Sequence, residues 1–212
     1  VSGMAYGPAK PPPVRAVLDD NIVIGYVGHF PLAGEAVREA EKEEWRQWSR
    51  KAPKLMFRPN LFWYSGGFYA LPTLVTRNTM EDFRFLAENS GIGLAIDTTP
   101  RHWATQGPQY YVMAQFAWDP FRDGAVLMKD YYRRGFGPAA EAVRGYFDLM
   151  EEAHVAILNT PGWRHSMGAI KHPLTESILA QYNADRLARA ETLLAEAATR
   201  TAEGPAKYRE RV

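Results

Sequence analysis

Short apolar segments alternate with longer segments of helical periodicity along residues 1–120. The apolar segments contain few polar positions, as expected of strands that are buried on both faces of a sheet. The longer segments repeat their apolar residues every three or four positions, which is typical of amphipathic helices. The pattern predicts strands at residues 1–6, 21–27, 54–58 and 92–96, and helices at residues 35–52, 79–89 and 108–118.

Strands that alternate with helices at this spacing favour a parallel sheet connected by right-handed crossovers. Three such units with one strand ahead of them amount to half of an eight-stranded barrel. An open, doubly wound sheet is the competing topology, although no Gly-x-Gly-x-x-Gly sequence supports it. We therefore predict an α/β fold, namely the C-terminal half of a TIM-like (β/α)8 barrel followed by a helical segment.

The pattern becomes purely helical after Pro120. The predicted helices in this part are residues 123–134, 138–158 and 174–202. The last of them carries an apolar stripe at helical spacing. The sequence thus predicts two units, a half-barrel over residues 1–120 and a helical extension over residues 121–212 that packs on it.

Two of the earlier helices carry more detailed expectations. The predicted inner stripe of the first helix is Val37, Ala40, Trp45 and Trp48. The acidic run at residues 35–44 is interpreted as a solvated face of that helix. For the second helix, Asn78 or Thr79 can cap the N-terminus, and Gly91 fits the left-handed position after its end.

Composition narrows the possible functions. The formal net charge is +1, so charge gives no reason to expect binding to nucleic acid. The chain contains no cysteine, which excludes disulfides and thiolate zinc sites. The five histidines are scattered, so we expect no metal, and no cofactor motif is present. No apolar run is long enough for a membrane helix. Aromatic residues make up 13% of the chain, which fits either core packing or a sugar-binding surface.

In parallel α/β folds, ligands bind where the strands end at their carboxyl side. This rule selects a catalytic candidate, Asp97, and a set of substrate-binding candidates. The substrate-binding candidates are Tyr6, His29, Arg58, Asn60, Trp63, Tyr64, His102 and Trp103. Their amides can bond sugar hydroxyls, and their aromatic rings can stack on the faces of sugar rings. The alternative interpretation is that the same residues pack in loops or make structural hydrogen bonds.

Asp97 directly follows an apolar strand, where a carboxylate can act on a glycosidic bond. It can equally cap a helix or pair with Arg58 or Arg101. Glycoside hydrolysis usually needs two carboxylates about 5 to 9.5 Å apart. Asp97 is the one acid cleanly at a strand end here, so we expect the second carboxylate outside this sequence, in a missing first half of the barrel.

Several short motifs occur in an order that resembles a known family. They are Ala5-Tyr6 with the following prolines, Asp20-Asn21, Ala52-Pro53-Lys54-Leu55, the strand at residues 91–96 with its acid, Trp118-Asp119-Pro120, and Gly137-Pro138-Ala139-Ala140. This order resembles an uncharacterised bacterial family in the later part of glycosidase-like (β/α) barrels, distantly similar to α-glucuronidases. The family's acid at the last barrel strand, usually Glu, falls on Asp97.

The resemblance implies an exported protein that acts on an oligosaccharide or polysaccharide. Both chain ends look cut, so we also expect a fragment whose partner is the missing N-terminal half of the barrel or another copy of the chain. The leading hypothesis is a glycoside hydrolase acting on polysaccharide-derived glycans. The alternatives are a non-catalytic carbohydrate-binding protein and a structural half-barrel that pairs with another chain.

Overall fold

The computed structural model describes residues 1–59, 71–96, 102–161 and 175–212 of the chain. These residues form a four-stranded parallel sheet and a series of helices, which confirms the predicted α/β class. The strands are β1 (Ser2–Ala5), β2 (Val23–Tyr26), β3 (Leu55–Phe57) and β4 (Gly91–Leu94). They lie in the order β1-β2-β3-β4, so each strand neighbours the next one along the chain.

The helices follow the strands in two groups. The first group is α1 (Glu35–Ser49), α2 (Thr76–Glu88) and α3 (Trp103–Trp118). The second is α4 (Gly124–Phe136), α5 (Ala140–Leu158), α6 (Thr175–Ala180), α7 (Ala184–Thr201) and α8 (Ala206–Arg209). Two short 3-10 turns, Gly7–Ala9 and Gly137–Ala139, complete the regular structure of the described residues.

One face of the sheet packs against the first group of helices. Side chains alternate between the two faces of a strand, so residues two apart share a face. Tyr26 and Phe57 both contact the Trp45 ring of α1 in edge-to-face geometry, with ring centroids 5.5 and 6.2 Å apart. Residues of α2 and α3 join the same hydrophobic cluster as these strand residues. All three helices therefore share one core with this face.

The other face of the sheet carries the alternate strand positions. These positions are Met4, Gly25, Met56 and Gly93, which the strand register places next to one another. Met4 is 51% exposed and Gly93 is also exposed, whereas Gly25 is buried. Small or flexible residues thus line this face, and within the described residues none of the α-helices shares a core with it.

The α1 stripe predicted from the sequence is wrong in half of its positions. Trp45 and Trp48 are buried, but Val37 and Ala40 are exposed. The buried face instead runs through Arg38, Glu41, Lys42 and the two tryptophans. The acidic run is therefore not simply a solvated face, because the helix buries three charged side chains in ion pairs on the same side as its tryptophans.

The α2 boundaries also differ from the prediction. The helix begins at Thr76 with Val75 at the N-cap position, and neither Asn78 nor Thr79 caps it. Its N-terminal N–H groups are bonded from outside instead, since the Gln109 amide oxygen accepts from Val75 and the Glu151 carboxylate accepts from Arg77. The left-handed residue after the helix is Ser90, with φ 65°, rather than Gly91.

Helix α3 begins five residues before its predicted start. Pro108 lies inside the helix instead of in its first turn. The carbonyl that loses its donor to this proline belongs to Ala104, which is exposed near the helix start, so water can bond it. The proline therefore costs less here than in the middle of a helix.

The second group of helices has its own core. Buried residues of α4, α5 and α7 form a second cluster around Tyr132, Phe147 and Ala190. The helix predicted at residues 174–202 is interrupted, because α6 ends at Ala180 and α7 begins at Ala184 after an Asn183 cap. Among the described residues no helix is both long and apolar enough to cross a lipid bilayer. The division into two units at residue 120 stays a prediction.

Candidate functional site

The strands end together at the carboxyl edge of the sheet. Backbone bonds continue past the strands: Val27 N–H donates to Ala5 O, Arg58 N–H to Tyr26 O and Ala95 N–H to Phe57 O, at 3.1, 2.9 and 2.8 Å. This register places Tyr6, Val27, Arg58 and Ala95 at one level, each directly after the last residue of its strand. Neighbouring strands are about 4.8 Å apart. Two of the predicted substrate-binding residues, Tyr6 and Arg58, therefore lie along one short edge.

Tyr6 and Arg58 each follow a residue that faces the helices. Ala5 and Phe57 are fully buried in the helix-side core, so the next residue on each strand turns to the other face. Tyr6 is 52% exposed and Arg58 is half-buried. Both candidates are thus placed on the face that none of the described helices covers, as a ligand site at this edge requires.

His29 follows β2 and is held by a buried carboxylate of α1. Its Nδ1 lies 2.8 Å from Glu41 Oε1, and its backbone N–H donates to Glu41 Oε2 at 2.6 Å. The Phe30 N–H donates to the same oxygen at 3.1 Å. One carboxylate therefore fixes both the backbone of the loop after β2 and the ring of a candidate residue.

A second layer of contacts holds Glu41 itself. Lys10 comes from the connection after β1, and its Nζ lies 2.7 Å from Glu41 Oε1 and 3.6 Å from Glu44 Oε2. The Tyr26 hydroxyl donates to Glu44 at 2.5 Å. The network joins the ends of β1 and β2 to α1, so the geometry of His29 depends on three separate segments.

Charge in this network favours an ionised Glu41. Burial alone would raise the pKa of Glu41, but the hydrogen bond and charge of His29 and the charge of Lys10 outweigh it and lower the pKa to about 2. Burial also raises the pKa of the Tyr26 hydroxyl, and the charge of Glu41 adds to that effect. The tyrosine therefore stays a neutral donor to Glu44, and Glu41 stays a pure acceptor.

Gly28 permits this close approach. A Cβ at residue 28 would lie 2.7 Å from the Tyr26 ring, 3.1 Å from Glu41 Oε2 and 3.2 Å from the Phe57 ring. A side chain there would push the loop away from the carboxylate. Glycine thus lets the backbone N–H groups of the next two residues reach Glu41.

His102 and Trp103 lie at the start of α3, which follows β4. His102 occupies the N-cap position and its carbonyl accepts from Gln106 N–H at 2.9 Å. Trp103 is 68% exposed and its ring meets Tyr110 edge-to-face at 4.9 Å. Because α3 follows β4, its first residues belong to the carboxyl side of the sheet, where an exposed indole can serve a ligand.

Two buried glutamines of α3 hold the segment that leads into α2. The Gln106 amide accepts from Thr73 N–H at 3.1 Å and donates to Leu71 O at 2.9 Å. Gln109 accepts from Val75 N–H and donates to the Thr79 hydroxyl, both at 2.8 Å. The side chain of Gln106 is therefore bonded on both sides to the backbone of this segment.

Comparison with known families matches residues 1–148 to one family, described as Domain of unknown function (DUF4838). The chain belongs to the DUF4838 family. The match includes every candidate residue of the site and extends into α5. No curated protein and no solved structure matches the chain.

Membership in DUF4838 fits the expected domain of unknown function, while the likeness to glycosidases and α-glucuronidases stays a prediction. Four of the predicted site residues of this DUF4838 chain lie outside the described residues. They are Asp97, Asn60, Trp63 and Tyr64. The five others, Tyr6, His29, Arg58, His102 and Trp103, all follow the carboxyl ends of strands or begin the next helix.

Sequence reasoning missed Glu41 and Lys10 in this DUF4838 site. A signal for Glu41 was available, because residues 38, 41, 45 and 48 repeat at helical spacing and put the acid on the tryptophan side of α1. Lys10 gave no such signal, since it lies in an irregular connection. No group of three or more His, Asp or Glu side chains within the described ranges is arranged to hold a metal ion.

Proposed function

We propose that the chain is a carbohydrate-active protein, with its ligand site at the carboxyl edge of the sheet and glycoside hydrolysis as its reaction. The observation that carries the proposal is that Tyr6, His29 and Arg58 follow the carboxyl ends of three neighbouring strands. Parallel α/β folds bind ligands at this edge. An exposed tyrosine, a guanidinium and a carboxylate-held imidazole offer stacking and hydrogen bonds to a sugar.

The sequential strand order supports a barrel as the frame of this site. In a doubly wound sheet the order reverses at a switch point, whereas here four parallel strands follow one another. The helices of the described ranges also share a core with one face of the sheet and not with the other. We infer that the sheet is half of a (β/α)8 barrel, whose interior would be the face that carries Met4, Gly25, Met56 and Gly93.

Asp97 is the proposed catalytic carboxylate, although it lies outside the described residues. The test is turnover of polysaccharide-derived oligosaccharides by the natural full-length protein carrying Asp97→Asn. A catalytic role predicts a loss of at least about a hundredfold, in line with general acid–base contributions. The matched control is Asp185→Asn in the first turn of α7, which should leave turnover unchanged. Unchanged turnover in Asp97→Asn would remove this residue from catalysis.

Sugar binding without turnover is the second candidate function. The exposed aromatic side chains Tyr6 and Trp103 favour it, because stacking on a sugar needs no acid pair. Tyr6→Ala should weaken oligosaccharide binding measured by calorimetry, while Phe121→Ala, also exposed, should not. Phe121 is a suitable control because it follows the far end of α3. Binding with no hydrolysis would select the binder, and no binding at all would reject both functions.

A further inference from the structure

A small cavity lies between helices α2, α4 and α5, and its described lining includes none of the candidate residues at the strand ends. Its volume is about 230 Å³, below the roughly 300–1,000 Å³ of pockets that hold drug-sized ligands. Methionine side chains and the first turn of α4 form part of the wall. The polar residues of the lining are Thr76, Arg77, Tyr132, Arg144 and Asp148. The cavity has the size for a small molecule, and the polar residues decide which kind.

The hydroxyl of Tyr132 is a buried donor at this cavity. Tyr132 is only 4% exposed, and its ring packs against Phe136 and Phe147 with centroids 6.2 Å away in each case. The hydroxyl interacts electrostatically with Asp148 and Arg144, which line the same cavity, but it makes no hydrogen bond to any described residue. A buried hydroxyl without a hydrogen bond is unfavourable, because it has lost its bonds to water. A ligand that accepts a hydrogen bond would satisfy it.

The protonation state of Tyr132 makes it a donor to such a ligand. Burial raises the pKa of the hydroxyl above its ordinary value of 10.0, and the charge of Asp148 raises it further. The hydroxyl therefore keeps its proton at neutral pH and can give it to a hydrogen bond.

Two guanidinium groups line the cavity with donors that no described residue uses. Arg77 is exposed, and its side chain forms neither an ion pair nor a hydrogen bond within the described ranges. Arg144 faces Asp148 with its Nε, at 3.5 Å, and its two terminal amino groups make no hydrogen bond to the described part of the chain. A guanidinium is always charged and presents its N–H groups as a planar fork. The cavity thus offers more donors than acceptors.

The other polar groups leave this balance in place. The Thr76 hydroxyl donates to Glu151 at 2.6 Å, and the backbone N–H of Arg77 donates to the same carboxylate at 3.1 Å. Glu151 is therefore engaged on both oxygens by the start of α2. Asp148 is the one carboxylate in the described lining, and it faces Arg144. Two guanidinium groups against one carboxylate make this lining positively charged.

We propose that this cavity binds the oxyanion of a small molecule, held by the guanidinium groups of Arg77 and Arg144 and by the hydroxyl of Tyr132. Guanidinium forks match the oxygens of carboxylate and phosphate groups in geometry, and hydrogen bonds to a charged group are stronger than those between neutral groups. The anion accepts from the donors that the described residues leave unused. This site is separate from the strand-end site and does not rest on the proposed function.

Titration of the 212-residue chain with matched ligands tests the proposal. The probes are succinate, inorganic phosphate and succinamide, which has the size of succinate without its charge. Binding is measured by calorimetry at constant ionic strength, and the amide signals of Gly124 and Ala125, which line the cavity, are followed by NMR. We expect an anion to bind and to move these signals, whereas succinamide should do neither. The tighter of the two anions identifies the recognised group as carboxylate or phosphate.

Two results of this titration would overturn the proposal. One is equal binding of succinamide and succinate, which would mean that the charge is not recognised. The other is the absence of binding by either anion up to about 10 mM, well above the dissociation constant of a weak millimolar ligand.

Tyr132→Phe tests the buried donor. The substitution removes the hydroxyl and keeps the ring with its aromatic neighbours, so the fold should persist. Affinity for the anion should fall about tenfold, as expected for one hydrogen bond to a charged group. The control is Tyr146→Phe, which removes the hydroxyl of a half-buried tyrosine that does not line the cavity, and it should bind like wild type.

Arg144→Gln tests the guanidinium fork. Affinity for the anion should fall by at least about tenfold, since a charged donor pair is lost. Arg189→Gln on α7 removes a positive charge at an exposed position outside the cavity and should leave the affinity unchanged. Full anion binding in both Tyr132→Phe and Arg144→Gln would place the anion elsewhere and contradict the proposal. If Arg144→Gln does not fold, Tyr132→Phe alone decides.

Discussion

At the scale of single residues, Glu41 is both buried and ionised, and its pKa determines how its contribution to the stability of the fold depends on pH. The native pKa of about 2 lies below the ordinary value of 4.5. A depressed carboxylate pKa contributes stability above its unfolded value, and that stability is lost as the pH falls through the native value. Glu41 should therefore stabilise the fold at neutral pH and lose this effect between about pH 4.5 and about pH 2.

Glu41→Gln should lower the free energy of unfolding at pH 7 by on the order of 3 kcal/mol, as the shift in pKa implies. Urea titrations across the acid range should show the gap to wild type closing as the pH falls. Glu43→Gln is the control, because an exposed ion pair contributes at most about 1 kcal/mol. A gap that stays constant between the two pH limits would mean that the charge of Glu41 is not what stabilises the loop.

For Glu151 we expect the opposite pH dependence of the free energy of unfolding. Burial raises its pKa, although the Thr76 hydroxyl at 2.6 Å and the Arg77 N–H at 3.1 Å oppose this. A raised carboxylate pKa means that stability is greatest below the unfolded value and is lost as the pH rises through the native one. The free energy of unfolding of wild type relative to Glu151→Gln should thus fall as the pH rises above the ordinary glutamate pKa of 4.5. Glu152→Gln, an exposed neighbour, should give parallel curves, and parallel curves for Glu151→Gln would refute the assignment.

At the scale of elements, α3 secures the start of α2 through side chains. Gln109 satisfies the Val75 N–H and the Thr79 hydroxyl, both buried. Gln109→Ala should leave the buried Val75 N–H without its acceptor and cost roughly 1–3 kcal/mol, while the Thr79 hydroxyl keeps its own bond to Val75 O. Hydrogen exchange of the Val75 amide should accelerate in the variant. Gln115→Ala, on the same helix and bonded to Arg122 at the surface, should change neither quantity. Slow exchange at Val75 in Gln109→Ala would show that the helix start is held by something else.

These long-range contacts at the start of α2 explain why the sequence predicted which helices and strands exist better than the residues at which they begin and end. The apolar runs at β2 and β3 and the tryptophans of α1 are local signals, and all of them were predicted. The start of α2 is set by Gln109 and Glu151, which are 34 and 74 residues away from the N–H groups they bond. No local pattern contains that information.

The candidate site shows the same contrast between local signals, which the sequence contains, and long-range contacts, which it does not reveal. Strand ends alone selected Tyr6, His29 and Arg58, because carboxyl ends of parallel strands meet at one edge. The carboxylate that holds His29 comes from a helix 12 residues further on, and its role depends on burial. The charged residues of α1 look solvated in sequence because burial of a charge is rare unless it is paired. Only the fold brings the partners, Lys10 and Asp82, into reach.

At the scale of the whole molecule, the described sheet has two edge strands, β1 and β4. Among the described residues β1 pairs only with β2, and β4 pairs only with β3. Ile92 on β4 is 56% exposed and Met4 on β1 is 51% exposed. Unpaired strand edges with apolar side chains favour pairing with further strands. The proposed half-barrel gives these edges a partner, either the rest of a barrel or a second copy of the chain.

A second copy can be tested with the 212-residue chain alone. If copies complete the sheet, sedimentation equilibrium should show a dimer, and Ile92→Lys should weaken it, since a charge on a strand edge opposes pairing. Val126→Lys is the control, because Val126 is 64% exposed and belongs to helix α4 rather than to an edge strand. A chain that remains monomeric at every concentration would exclude a second copy. The strands that close a barrel would then have to belong to the same polypeptide, where the second carboxylate for hydrolysis would also have to be found.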